Sequence, residues 1–274
     1  PAAPKSLVSS EMCRVIAEAN GVYMAETFTG FKFLAEKINQ FIAEGSHNFI
    51  LAFEESYGYM VGDYVRDKDA VTAAVIIAEM AAYYYNRAEE WGKEVTINYK
   101  HEAFPPTVAT FDVERGALSG ISPLYWQTDT AIGKHSWGYR FDNEYKSSRQ
   151  VICDLVDIVS KNGNLLINIG PRADGTITDE ETKVLLDMGE WLSVNGEGIY
   201  GTTYWKQFGE GEVNNTEGSF QDNDEKLFTS GDYRFTYKNG YIYAFCMRPD
   251  SDTFLIRSLK LKGERDIVTG SVEV

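Results

Sequence analysis

The chain has 274 residues and a net charge of −15; 43% of its residues are hydrophobic and 14% aromatic. That length predicts about two domains, and that composition can build a core, which excludes wholesale disorder. The acidity argues against nucleic acid as the main partner, because phosphate binding needs a basic surface.

The N-terminal half alternates short β runs with helical patterns. Residues 6–10 (SLVSS) read as a brief strand, and 12–20 (MCRVIAEAN) as a helix stopped at Gly21. Residues 22–28 (VYMAETF) read as the next strand. Residues 31–45 form an amphipathic helix with Phe33, Leu34, Ile38, Phe41 and Ile42 on its apolar face and Gly45 at its end. FILAF (49–53) reads as a buried strand, followed by a loop over 54–69. The run from Ala70 to about Glu90 is apolar but shorter than a membrane span and carries Glu79, so a buried helix is expected.

Beyond that helix, VTINY (95–99) reads as a strand and 101–120 as a long, proline-bearing loop. SPLYWQTDT (122–130) reads as a strand, then 133–146 as a loop. A Ser-capped helix over 147–163 ends at Asn162-Gly163. NLLINIG (164–170) is a strand entering a turn at Asp174-Gly175. A second helix starts at Thr178, with Glu181 at capping-box spacing. This alternation predicts an α/β fold with a parallel sheet or barrel. From about Tyr204 the pattern changes. A polar loop over 210–226 leads into β alternation to Val274, with a hairpin around Asn239-Gly240.

Cys13, Cys153 and Cys246 lie far apart, which excludes a disulfide framework, and Cys13 and Cys153 read as core thiols. His47, His101 and His135 are isolated, so no metal site is expected. No signal-peptide pattern opens the chain, and no membrane partner is expected. The start at Pro1 rather than Met implies removal of preceding residues.

Several residues have the right chemistry for sugars. Glu54, Glu55 and Ser56 leave a buried strand, where two carboxylates and a hydroxyl can bind sugar hydroxyls; a solvated acidic turn is the plainer reading. Lys68 can neutralise a phosphate, while its neighbour Asp69 can cap the following helix. Asp112 and Glu114 are placed by the pattern in a loop, where a buried carboxylic acid can serve as general acid. Glycosidases need a pair of such groups. Trp126, Trp137 and Tyr139 offer flat faces for sugar stacking, or simply for a core.

Two resemblances sharpen these readings. ETFTGFKFLAEKI (26–38), FEESYGYMVGDYVRDKDAV (53–71) and AEMAAYY (78–84) resemble the third domain of the α-D-phosphohexomutases, the family of phosphoglucomutase and phosphomannomutase. That resemblance covers 1–85. It implies sugar contacts for Glu54, Glu55 and Ser56, an active-site role for Lys68, a phosphosugar substrate and a Mg²⁺ cofactor. The family's phosphoserine, its magnesium-binding loop and its last domain have no counterpart in the sequence.

From about 81 to the end the chain resembles the α-L-fucosidases, retaining glycoside hydrolases that need no cofactor. The matching strings are 81–106, FDVERG (111–116), YWQTDTAIGKHSWGY (125–139), 155–177 and WLSVNGEGIYGT (191–202). This resemblance implies a partial (β/α) barrel, its later strands only, over 86–204, and a partial all-β sandwich over 205–274. It implies fucosylated glycans as substrate. It gives Glu114 the general acid/base role, with Asp112 as alternative, and places Lys100, Trp126 and Trp137 at the sugar. Gln127 departs from the Trp-Glu pair of many relatives. The nucleophilic aspartate is expected 16 residues before Ala82, where Arg66 stands. The two resemblances meet in AEMAAYYYNRAEE (78–90), so the simplest reading is a chimera joined in mid-helix. The fucosidase resemblance suggests a secreted or periplasmic protein and the mutase resemblance a cytoplasmic one, so neither localisation nor oligomeric state follows.

Overall fold

In a computed structural model, residues 1–55, 58–100, 107, 109–250 and 253–259 are described. They divide into two units, Pro1–Val95 and Thr96–Val274.

The first unit is a four-stranded sheet with helices. Its elements are β1 (Ala2–Ser6), α1 (Met12–Ala19), β2 (Tyr23–Thr27), α2 (Phe31–Glu44), β3 (Leu51–Glu54), β4 (Gly58–Val61) and α3 (Ala70–Glu90). The sheet order is β2-β1-β3-β4. β1 runs parallel to β2 and β3, while β4 returns antiparallel to β3. The opening strand is therefore Ala2–Ser6 rather than 6–10. Ala2 and Ala3 are small enough to be buried in this central strand, whereas Leu7 and Val8 stay exposed. The expected loop over 54–69 contains β4, because Gly58 to Val61 pairs residue for residue with β3.

Helix α2 buries Phe31, Leu34, Ile38 and Phe41, at intervals of three and four. Phe33 is off that stripe and Ile42 is exposed, which corrects the expected face by one helical step. Gly45 ends the helix in the left-handed region at φ 61°. Asp69 caps α3 by accepting from the backbone N–H of Val71 and Thr72. Helix α3 was expected to be buried. Instead Val71, Val75, Ile76, Met80 and Tyr83 are exposed, and Ala88 alone among its residues is buried. Its apolar residues run all round the helix, so no single face can hide them.

The second unit holds two sheets around a central helix. Strands β5 (Asn98–Tyr99), β6 (Thr110–Glu114), β7 (Trp126–Ala131) and β8 (Gly163–Asn168) pair parallel in sequence order. Helix α4 (Ser148–Ser160) crosses from β7 to β8, and α5 (Asp179–Asn195) follows. A short 3₁₀ turn, Gly196–Gly198, leads to an antiparallel sheet of β9 (Thr203–Glu210), β10 (Tyr233–Lys238) and β11 (Tyr241–Cys246), in the order β11-β10-β9. Of the β alternation expected after Cys246, residues 253–259 are described and are not strand; the last stretch, 265–274, lies outside the described residues.

The predicted caps are present. Ser147 accepts from the Gln150 N–H at 3.0 Å. Thr178 accepts from the Glu181 N–H at 3.2 Å, and the Glu181 carboxylate takes the Gly170 N–H at 2.8 Å. The hairpin turn carries Asn239 at φ 51° and Gly240 at φ 91°, the two left-handed residues of a type I′ turn. Helix α4 is packed on both sides. Ile158 joins Val113, Ala117 and Trp126 against the parallel sheet, while Leu155 and Val156 join Ile199, Phe228 and Met247.

Among the described residues no helix is long and apolar enough to cross a membrane. Cys153 packs in the α4 core, and burial pushes its thiol up to about 11. Cys13 packs against Ala3, Ala17 and Met24.

Candidate active site

Asp112 and Glu114 lie on a strand, not in a loop, because 111–114 pair in register with β7. That difference decides the site. Residues two apart on a strand share a face, so Asp112 and Glu114 point the same way. The register sets Asp112 opposite Gln127 and Glu114 opposite Asp129, placing four polar side chains on one face. Val113, Trp126 and Thr128 take the other face and are buried.

Lys100, just past β5, closes the cluster. Its ammonium donates to both Asp129 oxygens at 2.8 Å and lies 3.5 Å from Asp112 Oδ2 and 3.5 Å from Glu114 Oε2. Burial works against its charge, but the Asp129 hydrogen bond and the carboxylates around it hold Lys100 above the ordinary lysine range. Asp112 moves upward too. Burial is the first cause and the Asp129 charge the second, against the pull of Lys100. Its Oδ1 is buried without a hydrogen-bond partner. Such an atom is costly to leave unsatisfied and is commonly met at a site built for something else to bind. Three carboxylates and one lysine thus meet at the C-terminal ends of parallel strands, the edge where α/β enzymes place their chemistry.

The two tryptophans part company. Trp126 is 1% exposed, packs on Ile158 and Gly163, and donates its indole N–H to the Lys161 carbonyl at 3.0 Å. It stands on the face opposite the carboxylates, so the structure gives it a packing role. Trp137 is half-buried in the loop after β7. Its carbonyl accepts from Asn168 at the end of β8 at 2.7 Å, and the Arg115 guanidinium lies 5.4 Å from its ring centre. Asp129 was missed by sequence reasoning. Its signal was the strand alternation that sets it two residues from Gln127.

In the first unit, Glu54 is buried at the end of β3 and accepts from the Gly30 N–H. Glu55 accepts from the Ser6 hydroxyl at 2.6 Å; that bond, aided by the Lys68 charge, holds its carboxyl below the usual range. Lys68 reaches over the Phe31 ring at 5.4 Å. Ser56 lies outside the described residues. The Mg²⁺ implied by the mutase resemblance finds no cluster of three or more His, Cys, Asp or Glu ligands among the described residues.

A sequence model of the α-L-fucosidase family matches residues 22–197. The chain belongs to the α-L-fucosidase family. That match begins inside the stretch that resembles the mutases. Human plasma α-L-fucosidase is 45% identical over 89 residues, covering 31% of this chain and 19% of that protein. The α-L-fucosidase of Dictyostelium discoideum is 32% identical over 157 residues, covering 52% of this chain and 30% of that protein. A solved α-L-fucosidase structure superposes with a TM-score of 0.52 at 23% identity, over 85% of this chain and 52% of that one; this likeness concerns fold alone. The chain spans about a fifth to a third of the length of these two sequence relatives.

Proposed function

We propose that residues 96–274 carry the acid/base and sugar-binding half of a retaining α-L-fucosidase acting on fucosylated glycans, without a cofactor. The observation that carries this reading is the Lys100–Asp112–Glu114–Asp129 cluster at the C-terminal strand ends. Glu114 is the proton donor to the leaving oxygen in this reading, and Lys100 binds a sugar hydroxyl once substrate competes with Asp129 for it. Trp137 packs on the apolar face of fucose. The sequential parallel strands suit a sector of a (β/α) barrel, and β9–β11 suit part of a sandwich.

Retention requires a second carboxylate as nucleophile, about 5–5.5 Å from the first. Arg66 holds the position expected for it. Hydrolysis of 4-nitrophenyl α-L-fucoside by the chain is therefore expected to match that of a Glu114→Gln variant. Turnover clearly above that variant would refute the missing-nucleophile reading.

A specific observation favours Asp112 as an alternative donor: it is the carboxyl that burial pushes upward, with an oxygen left unpartnered. We further propose that residues 1–85 are a phosphohexomutase-type fragment joined in mid-helix. The grouping of Glu54, Glu55 and Lys68 supports it, as do the matching strings. Interconversion of glucose 1-phosphate and glucose 6-phosphate would restore the mutase as a function of this chain. Reads of the encoding DNA that fail to run continuously across codons 75–90 would support an artificial join.

A further inference from the structure

Arg115 follows Glu114 with its backbone in the left-handed region, at φ 48°, an uncommon conformation for a residue with a side chain. Something must hold it there. Its N–H donates to the Asp129 carbonyl at 2.8 Å, and its carbonyl accepts from Gln221 at 2.8 Å. Its guanidinium is buried. Nη2 donates to the Gly133 carbonyl at 3.2 Å, the Lys134 carbonyl at 3.0 Å and Asn223 Oδ1 at 3.0 Å. Nε donates to Asp222 Oδ1 at 3.2 Å. The same group lies over the Trp137 ring, 5.4 Å from its centre.

Asp222 works the other side of the junction. Its second oxygen accepts from the buried Lys146 ammonium at 2.5 Å and from the Thr130 hydroxyl, next to Asp129 in β7. The segment that carries Asp222 lies along the end of β6. Phe220 donates to the Glu114 carbonyl at 2.9 Å and Gly218 to the Ala117 carbonyl at 3.1 Å. Close approach is possible because Gly116 has no side chain: a Cβ there would stand 1.8 Å from the Gly218 oxygen.

The geometry points to Arg115 and Asp222 as a positioning pair that fixes the direction of Glu114 and the plane of Trp137 relative to bound sugar. This rests on the fucoside reading of the site above. A guanidinium suits the task because its planar fork ties several carbonyls at once while its face stacks on an indole. Lysine can supply the charge but not the fork. Asp222 orients the fork and, through Thr130 and Lys146, ties it to the strand that bears Asp129.

The test uses the full chain with ¹⁵N-labelled tryptophan, and Trp137→Phe to assign the Trp137 indole resonance. Arg115→Met, Arg115→Lys and the near-isosteric Asp222→Asn are compared with a surface control at an exposed residue of α5, Glu190→Ala. Arg115→Met and Asp222→Asn are expected to move the Trp137 indole resonance and to weaken L-fucose binding about tenfold, the loss of one charged hydrogen bond. Arg115→Lys is expected to recover part of the resonance shift, since the charge returns over the ring. The proposal is overturned if both substitutions lower the melting temperature yet leave resonance and affinity as in the control. If the parent chain binds no L-fucose while the resonance still moves, the fucoside reading fails and the positioning of Trp137 stands. Should Arg115→Met not fold, Asp222→Asn decides by the same readings.

Discussion

Asp157 is 0% exposed and accepts from two buried cations. Lys161 Nζ donates to its Oδ2 at 2.7 Å, and Arg234 Nε donates to its Oδ1. Asn214 also accepts from Lys161, at 2.8 Å, and the Asn215 amide also donates to Asp157. Both cations lie over the Phe208 ring, and Arg234 over Phe228 as well, so water is excluded from the pair. The network fastens α4 to β10. Asp157→Asn keeps the volume but strands two buried positive charges. Removing one partner of a buried ion pair costs roughly 3–5 kcal/mol, more than the pair itself is worth against apolar replacements. Burial already holds Lys161 below the ordinary lysine range against the pull of Asp157, so the variant is expected to recover some stability at high pH, where Lys161 sheds its proton. A domain of this size loses about 2–4 °C per kcal/mol, which gives a fall of about 6–20 °C. Tryptophan fluorescence follows this unit selectively, since only Trp91 lies outside it. A fall below about 3 °C at neutral pH would show that the charges are solvated and the reasoning wrong.

Asp154 is pushed up to about 7, by burial first and by Asp157 and Asp222 against the pull of Lys146. In the unfolded chain it titrates near 3.9, so between about pH 4 and 7 the folded state holds a proton that the unfolded state releases. Stability from this group is therefore complete below about pH 4 and lost as pH rises to 7. Asp154→Asn is expected to gain on the parent by up to roughly 4 kcal/mol between those limits, read by urea titration at pH 4 and pH 8. An equal difference at both pH values would contradict the assignment. Trp126→Ala is expected to cost about 3–5 kcal/mol, from the cavity and from the lost bond to the Lys161 carbonyl, again by urea titration. A cost under about 1 kcal/mol would mean that the ring is not core.

Local chemistry was legible in the sequence. The Ser147 and Thr178 caps, the Gly45 stop and the Asn239-Gly240 turn each need a particular residue type, and each is where that type stands. Strand limits were less so. Residues 101–120 carry two prolines and several turn signals, which hid the four residues that pair with β7. The cluster around Lys100 follows from register, and register depends on partners far along the chain. Phe33 and Phe31 are equally apolar, and only packing on the sheet selects Phe31. The Arg115–Asp222 contact joins residues more than a hundred apart, so no local pattern marks it. Helix α3 is the reverse case: its composition asks for burial that its surroundings do not supply.

The most direct measurement is a titration of the chain and of Lys100→Met with L-fucose, followed by the Trp137 indole resonance. Saturable binding by the parent, lost in Lys100→Met while its melt stays cooperative, is the expected result. Binding of equal strength in both, or none in the parent, would contradict a fucose site at the Lys100 cluster.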